Sequence, residues 1–339
     1  MLNNVPPVIK GRRKAALLSI IICVFLWGFS FISIKESLPV FPPMTLGTVR
    51  FAIAIAILFF MYRFSPDWPG NGLRSEEKEN AGGQLKADLP LLIGSGLAGV
   101  TFYFFCENNG VARVTASEAS IIVASIPVLT MIAEWLAAKS FYKNKLADGN
   151  APHDNAPHDN APRDNAPRLG WQSWLGAVIS VAGVALIAGV SFSLSGSISG
   201  YVYMGGAALC WVSYSLLTRP LFDRKRPRLY IVFWQNVFGF LGFLPFAVLE
   251  YKNWGQPTLP VMLHVIFLAL GCSAFGYWLY AHAMEVLGVS VTSVFINLIP
   301  VVTVIAGFII LDERLAPLQW GGAALVLAGV YLTVLPRQK

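Results

Sequence analysis

The sequence predicts an all-α polytopic membrane protein, with ten transmembrane helices built as two inverted five-helix repeats. Three observations carry this reading. Of 339 residues, 55% are hydrophobic and only 13% are charged, about half the charge share of a soluble domain, and mean hydropathy is +0.60. The apolar residues gather into runs long enough to cross a bilayer, which takes ~20 residues of helix. The second half of the chain also repeats the first, with an odd number of helices in each copy.

The runs fall at 15–34, 44–62, 89–107, 115–138, 172–190, 200–217, 229–250, 260–284, 290–311 and 316–335. The first follows Lys10, Arg12, Arg13 and Lys14, a flank it shares with signal peptides. No small-residue cleavage site comes after it and nine further runs do, so it reads as an uncleaved first helix. Cys23, Cys106, Cys210 and Cys272 lie in or at the ends of apolar runs, far apart in sequence. They show neither metal-ligand spacing nor a disulfide framework and read as packing residues.

The net charge of +7 suggests nucleic acid only until it is mapped onto the runs. With the N-terminus inside, twenty of the 25 Lys and Arg fall on the inner side. Outside lie Lys35, Arg113, Lys252 and Arg314, while Arg50 sits within a run. Such an asymmetry follows the positive-inside rule and predicts that both termini are cytoplasmic.

The repeat emerges when Pro127 is placed on Pro300, a shift of 173. TASEASIIVASIPVLTMIA (115–133) then lies over GVSVTSVFINLIPVVTVIA (288–306). A shift of 146 puts WLGAVISVAGVAL (174–186) over WGGAALVLAGVYL (320–332), and a shift of 184 puts Trp27 on Trp211. The first copy therefore spans 15–190 and the second 200–335. Five helices per copy force the second to enter from the opposite side, an inverted repeat of the kind that places a transporter's substrate site at the midplane. The change of shift leaves an insertion between the fourth and fifth runs of the first copy, a low-complexity cytoplasmic loop at 143–168. It contains NAPHDNAPHDNAPRDNAPR, whose proline at every fifth position forbids continuous helix. Its composition offers no core and reads as a tolerated, disordered expansion.

The stretch GYWLYAHAMEVLGVSVTSVFINLIPVVTVIAGFIILDERLAPLQWGGAALVLAGVYL (276–332) resembles the EamA repeat of the drug/metabolite transporter superfamily. The resemblance rests on an aromatic-rich helix, a small-residue turn, a proline-bearing helix ending in Asp312-Glu313-Arg314, and a Gly-rich last helix. WGFSFISIKESLP (27–39) and TVRFAIAIAILF (48–59) resemble the first two helices of the same repeat. In the first copy Ser140 replaces the residue aligned with Glu313, so that anchor is missing. The resemblance implies a ten-helix metabolite transporter, most often an exporter of amino acids or related molecules, working without ATP hydrolysis.

Other motifs carry less. GSGLAG (94–99) fits the dinucleotide fingerprint but lies inside an apolar run with no preceding strand. Gly94, Gly96 and Gly99 read instead as points of close helix approach. No P-loop, H-E-x-x-H or G-x-S-x-G occurs, so neither an ATP-driven pump nor a membrane hydrolase finds support.

Polar residues inside a membrane are costly and mark functional candidates. Those expected to bind substrate are Trp27, Ser30, Arg50, Glu118, Ser125, Trp211, Tyr214, Gln235, Asn236, Tyr277 and Asn297. Arg50 lies ~9 Å and Glu118 ~5 Å from the outer ends of their helices, and opposite charges at similar depth should pair. Glu107 reads as an interhelical or interfacial group, and Glu134, His282 and Glu285 as inner interfacial ones. Pro127 and Pro300 should loosen their helices and act as hinges.

The expected function is a secondary transporter that exports small polar metabolites such as amino acids by alternating access. A multidrug or nucleotide-sugar carrier and a non-transporting scaffold or sensor are the alternatives. The partners expected are a small-molecule substrate and the lipid bilayer, with no nucleic acid, metal or cofactor; a homodimer is compatible with the sequence. The expected location is the cell membrane, specifically a bacterial inner membrane.

Overall fold

The computed structural model describes residues 7–66, 75–114, 119, 122–147, 171–189, 197–310 and 317–334. Glu118 and the NAPHD tract lie outside the described residues. Among the described residues all regular structure is helical. The first half contains α1 (Pro7–Ser37), α2 (Pro43–Arg63), α3 (Ser75–Gly96), α4 (Tyr103–Val111), α5 (Ile126–Ala147) and α6 (Trp171–Gly189). The second contains α7 (Ile198–Asp223), α8 (Arg228–Glu250), α9 (Leu259–Phe267), α10 (Gly276–Leu287), α11 (Val289–Val294), α12 (Leu298–Ile310) and α13 (Pro317–Val334).

Local sequence accounts for the boundaries. Pro43 opens α2 at a position where a missing N–H costs nothing. Ser197 caps α7, its hydroxyl accepting a bond from the Gly200 N–H at 3.3 Å. Between α10 and α11, Gly288 has φ 86°, a conformation open to glycine and strained for other residues.

Stretches 11–37, 43–63, 83–111, 228–250 and 259–287 are long and apolar enough to cross a membrane. Large apolar side chains such as Val202, Leu209, Val248, Leu263 and Leu327 cover the outside, while Thr101, Asn236, Ser273, Ser290 and Asn297 are buried. Inside-out polarity of this kind belongs to a bundle that meets lipid tails, where packing and interhelical hydrogen bonds hold helices together.

The two halves pack with matching partners. α1 lies against α10 and α12, as α7 lies against α4 and α5; α2 pairs with α8, α5 with α11, and α6 with α13. Equivalent helices run antiparallel where they meet. The first turn of α2 reaches the last residue of α8, Glu250, whose carboxylate accepts the Met44 and Thr45 N–H groups at 3.0 and 2.8 Å. At their other ends Tyr62 meets Tyr230. In the α6–α13 pair, Gly176 abuts Gly329 and Gly183 abuts Gly322, so small residues let the two backbones touch. The GSGLAG glycines behave similarly: a Cβ on Gly96 would lie 2.5 Å from the Gln235 carbonyl of α8, and one on Gly99 would run into the Tyr214 ring of α7.

Each half also breaks its helices at corresponding places. The third apolar run passes through a π-helical segment, Leu97–Phe102, between α3 and α4; the eighth passes through another, Leu268–Phe275, between α9 and α10. The two proline-bearing runs are interrupted as well, by a turn at Ala124–Ser125 ahead of α5 and by 3-10 helix at Phe295–Asn297 ahead of α12. Pro127 and Pro300 therefore sit in the first turns of α5 and α12, after the breaks, where proline is tolerated.

One end of the bundle is tied by ion pairs. Asp88, fully buried, accepts hydrogen bonds from Arg224 at 2.7 Å, Arg226 at 2.6 Å and Tyr230 at 3.2 Å. Glu285 pairs with Arg228 at 3.0 Å and Arg12 at 3.7 Å. Glu134 takes Arg219 at 3.2 Å and also the Ser290 hydroxyl. These contacts knit α1, α3, α5, α7, α8, α10 and α11 at the end where α7 passes into α8.

Candidate functional site

The helix breaks surround a cavity. Its described lining consists of Trp27, Ser30 and Phe31 from α1; Arg50 from α2; Tyr103, Phe104 and Glu107 from α4; Val123 and Ile126 beside the Ala124–Ser125 turn; Trp211 from α7; Tyr277 from α10; and Ile296 and Ile299 at the 3-10 break. The non-atom space among them, its open mouth included, is about 450 Å³.

Both π-helical segments serve this cavity. The carbonyl of Gly99, in the first, accepts the Tyr277 hydroxyl at 2.6 Å. The carbonyl of Cys272, in the second, accepts the Trp27 indole N–H at 3.1 Å. Gly99 falls on Cys272 under the 173-residue shift that superposes the prolines, so each half uses the same position to hold an aromatic ring of the other. Local π-helix is a frequent accompaniment of functional sites. The rings then brace one another: Trp27 lies 5.2 Å from Trp211, and Trp211 lies 4.9 Å from Tyr103. Trp211 also donates its N–H to the Tyr280 hydroxyl at 3.2 Å.

The described lining also includes two charged residues. Arg50 is 3% exposed and Glu107 5%, so neither is held by bulk water. Arg50 donates through Nε to the Ser273 hydroxyl at 2.5 Å, and its guanidinium lies 4.4 Å from the centre of the Phe104 ring, a cation–π distance. Glu107 accepts the Tyr103 hydroxyl at 2.8 Å. Arg50 and Glu107 do not close to ion-pair distance with each other. A cation and an anion thus share one aromatic-walled space, each desolvated, each steadied by a neutral donor, acceptor or ring. That arrangement can receive a molecule carrying both signs of charge.

Of the substrate-binding residues expected from sequence, Trp27, Ser30, Arg50, Trp211 and Tyr277 are brought together here. Tyr214 lies one layer behind, its ring 5.1 Å from Trp211. Gln235, Asn236 and Asn297 are absent from the described lining, and their amide nitrogens are spent elsewhere. Gln235 donates to Ser95 and Thr218, both at 2.8 Å. Asn236 donates to the Val232 carbonyl, and Asn297 to Ser180 on α6, both at 2.7 Å. Ser125 bonds the Ile122 carbonyl at 2.6 Å within its turn. The expected Arg50–Glu118 pair falls outside the described residues.

Sequence reasoning missed Tyr103, Phe104 and Glu107 as lining. Glu107 sits near a helix end, which suggested an interface; in the structure it lines the cavity from α4 with Tyr103 and Phe104. A Tyr and a Glu four residues apart on one helical face were the available signal.

The chain's likenesses agree with a transport fold. It is 24% identical to an uncharacterized transporter of Archaeoglobus fulgidus over 319 residues, covering 93% of this chain and 96% of that one. It is 24% identical to a probable amino-acid metabolite efflux pump of Escherichia coli, covering 95% of each. A probable terminal-alkyne amino-acid exporter of Streptantibioticus cattleyicolor is 25% identical, with 72% of this chain and 73% of that one covered. A crystal structure with 17% identity superposes with a TM-score of 0.64, covering 95% of this chain and 98% of that one, and shows that the fold is shared. The model of the EamA-like transporter family matches twice, at residues 14–146 and 198–335, and the chain therefore belongs to that family of membrane transporters.

Proposed function

We propose that the protein is a secondary transporter that exports small zwitterionic metabolites of the amino-acid class by alternating access. One observation carries the substrate class: Arg50 and Glu107 line the same buried cavity without pairing with each other. A carboxylate meeting Arg50 and an ammonium meeting Glu107 and the aromatic rings would satisfy both charges. The names of the E. coli and S. cattleyicolor relatives point the same way. Among the described residues Arg50 is the sole cation in the lining, which disfavours a nucleotide-sugar, whose diphosphate calls for more than one. A scaffold has no need of such a cavity.

The mechanism follows from the two-fold pairing. Ten spans in two inverted halves, antiparallel at α2–α8 and α6–α13, would let the halves exchange conformations around the cavity. The ion-paired end would be the cytoplasmic one, with both termini there, in the bacterial inner membrane. In this arrangement the Asp88, Glu285 and Glu134 ties close the cytoplasmic side while the cavity lies toward the other.

The test is flux in proteoliposomes, with radiolabelled amino acids run against an organic cation and a nucleotide-sugar. Movement of amino acids alone is the expected result. Movement of either alternative without amino acids would replace this reading.

A further inference from the structure

The cavity is symmetric in its apolar frame and asymmetric in its polar groups. Under the 173-residue shift Val123 falls on Ile296, Ile126 on Ile299, and Phe104 on Tyr277; under the 184-residue shift Trp27 falls on Trp211. All eight line the cavity. The remaining described lining, Ser30, Phe31, Arg50, Tyr103 and Glu107, comes from the first half alone. At the equivalent of Glu107 stands Tyr280, and at that of Tyr103 stands Gly276. The second half thus supplies rings and aliphatic groups, and its one lining hydroxyl, on Tyr277, is committed to the Gly99 carbonyl.

We infer that the four repeat-equivalent aliphatic residues Val123, Ile126, Ile296 and Ile299 form the side-chain subsite, and that it selects amino acids with apolar side chains. This rests on the zwitterion reading above. With the substrate's charged groups at Arg50 and Glu107, its side chain is left to the two helix breaks. The four residues there are 1–5% exposed and offer no hydrogen-bonding side chain. A hydroxyl, amide or charge placed against them would shed its water and gain no partner, whereas an aliphatic or aromatic group would gain contact area. The breaks bring these residues in from both halves, so the subsite takes its shape from the same elements in either half.

The experiment is exchange of labelled leucine, phenylalanine, serine, asparagine, glutamate and lysine by the full-length protein in proteoliposomes. Leucine and phenylalanine should half-saturate at concentrations about tenfold or more below the others, the discrimination expected of an apolar pocket. In Ile126→Asn and Ile299→Asn the leucine-to-asparagine preference should fall about tenfold, while Ile126→Val should keep it. Serine, glutamate or lysine moving as well as leucine in the unmodified protein would overturn the inference and leave the zwitterion reading standing. A protein that moves none of the six would overturn both. Because the unmodified protein alone decides between these outcomes, a variant that fails to fold does not weaken the test.

Discussion

Replacing Asp88 with asparagine removes the charge at the centre of the ion-paired end while keeping the side chain's shape. Asp88 is fully buried and accepts from two arginines and a tyrosine. The arginines are unequal: Arg226 is 19% exposed and Arg224 44%. A hydrogen bond to a buried charge contributes about 1.5–3 kcal/mol, whereas an exposed ion pair gives below ~1 kcal/mol. Arg226 therefore carries most of the tie, and Asp88→Asn should cost about 2–3 kcal/mol. At roughly 2–4 °C per kcal/mol the melting temperature should fall by about 4–12 °C. Arg226→Ala should fall nearly as far and Arg224→Ala by less than half as much. Thermal unfolding of the purified, detergent-solubilised protein, followed by tryptophan fluorescence, measures all three. An Asp88→Asn protein that melts unchanged, or Arg224→Ala falling as far as Arg226→Ala, would refute the reasoning.

The remaining predictions concern packing, the inserted loop and topology. Gly96→Ala should lower the melting temperature by several degrees, because its Cβ meets the Gln235 carbonyl, while Gly205→Ala, with nothing within 4 Å, should not; equal behaviour in the same melting assay would count against close packing of α3 on α8. Deleting residues 148–168 should leave abundance and flux within about twofold, since the second copy lacks an equivalent and the tract cannot form a core; well-expressed but inactive protein would assign the tract a role. In a background free of other cysteines, Asn155→Cys should react with an impermeant maleimide only from the cytoplasmic side and Ser195→Cys only from the other. Labelling of both from one face would remove the inverted arrangement.

Much of the architecture was legible because the bilayer imposes it. Apolar runs of bilayer length gave 44–62, 172–190 and 229–250, and the structure has Pro43–Arg63, Trp171–Gly189 and Arg228–Glu250. Pro127 and Pro300 both stand just after breaks, in the first turns of α5 and α12. What could not be read was the phase of a helix after irregular backbone. The π-helical segment Leu97–Phe102 carries no obvious sequence mark, and from sequence Tyr103 did not stand out while Glu107 read as an interhelical or interfacial group. Amides posed the opposite difficulty. Gln235 and Asn297 stood out as costly to bury, but Ser95, Thr218 and Ser180, which accept from their amide nitrogens, are 17 or more residues away in sequence. Periodicity identifies a face; it does not identify the partner across it. The aliphatic subsite was visible only as part of the repeat, since Val123, Ile126, Ile296 and Ile299 look like ordinary packing residues until the fold sets them around one space.

The central claim is that one cavity reads both charges of a zwitterion, through Arg50 and Glu107. Its most direct measurement is inhibition of labelled leucine exchange by leucine, by its N-acetylated form, which lacks the ammonium, and by the corresponding amine, which lacks the carboxylate. Competition should be strong for leucine and weaker by at least tenfold for each truncated analogue, the loss expected when a buried charge is left unpaired. In Arg50→Gln the penalty for lacking the carboxylate should vanish, and in Glu107→Gln the penalty for lacking the ammonium. Equal competition by all three compounds in the unmodified protein, or penalties unchanged in both variants, would contradict the account.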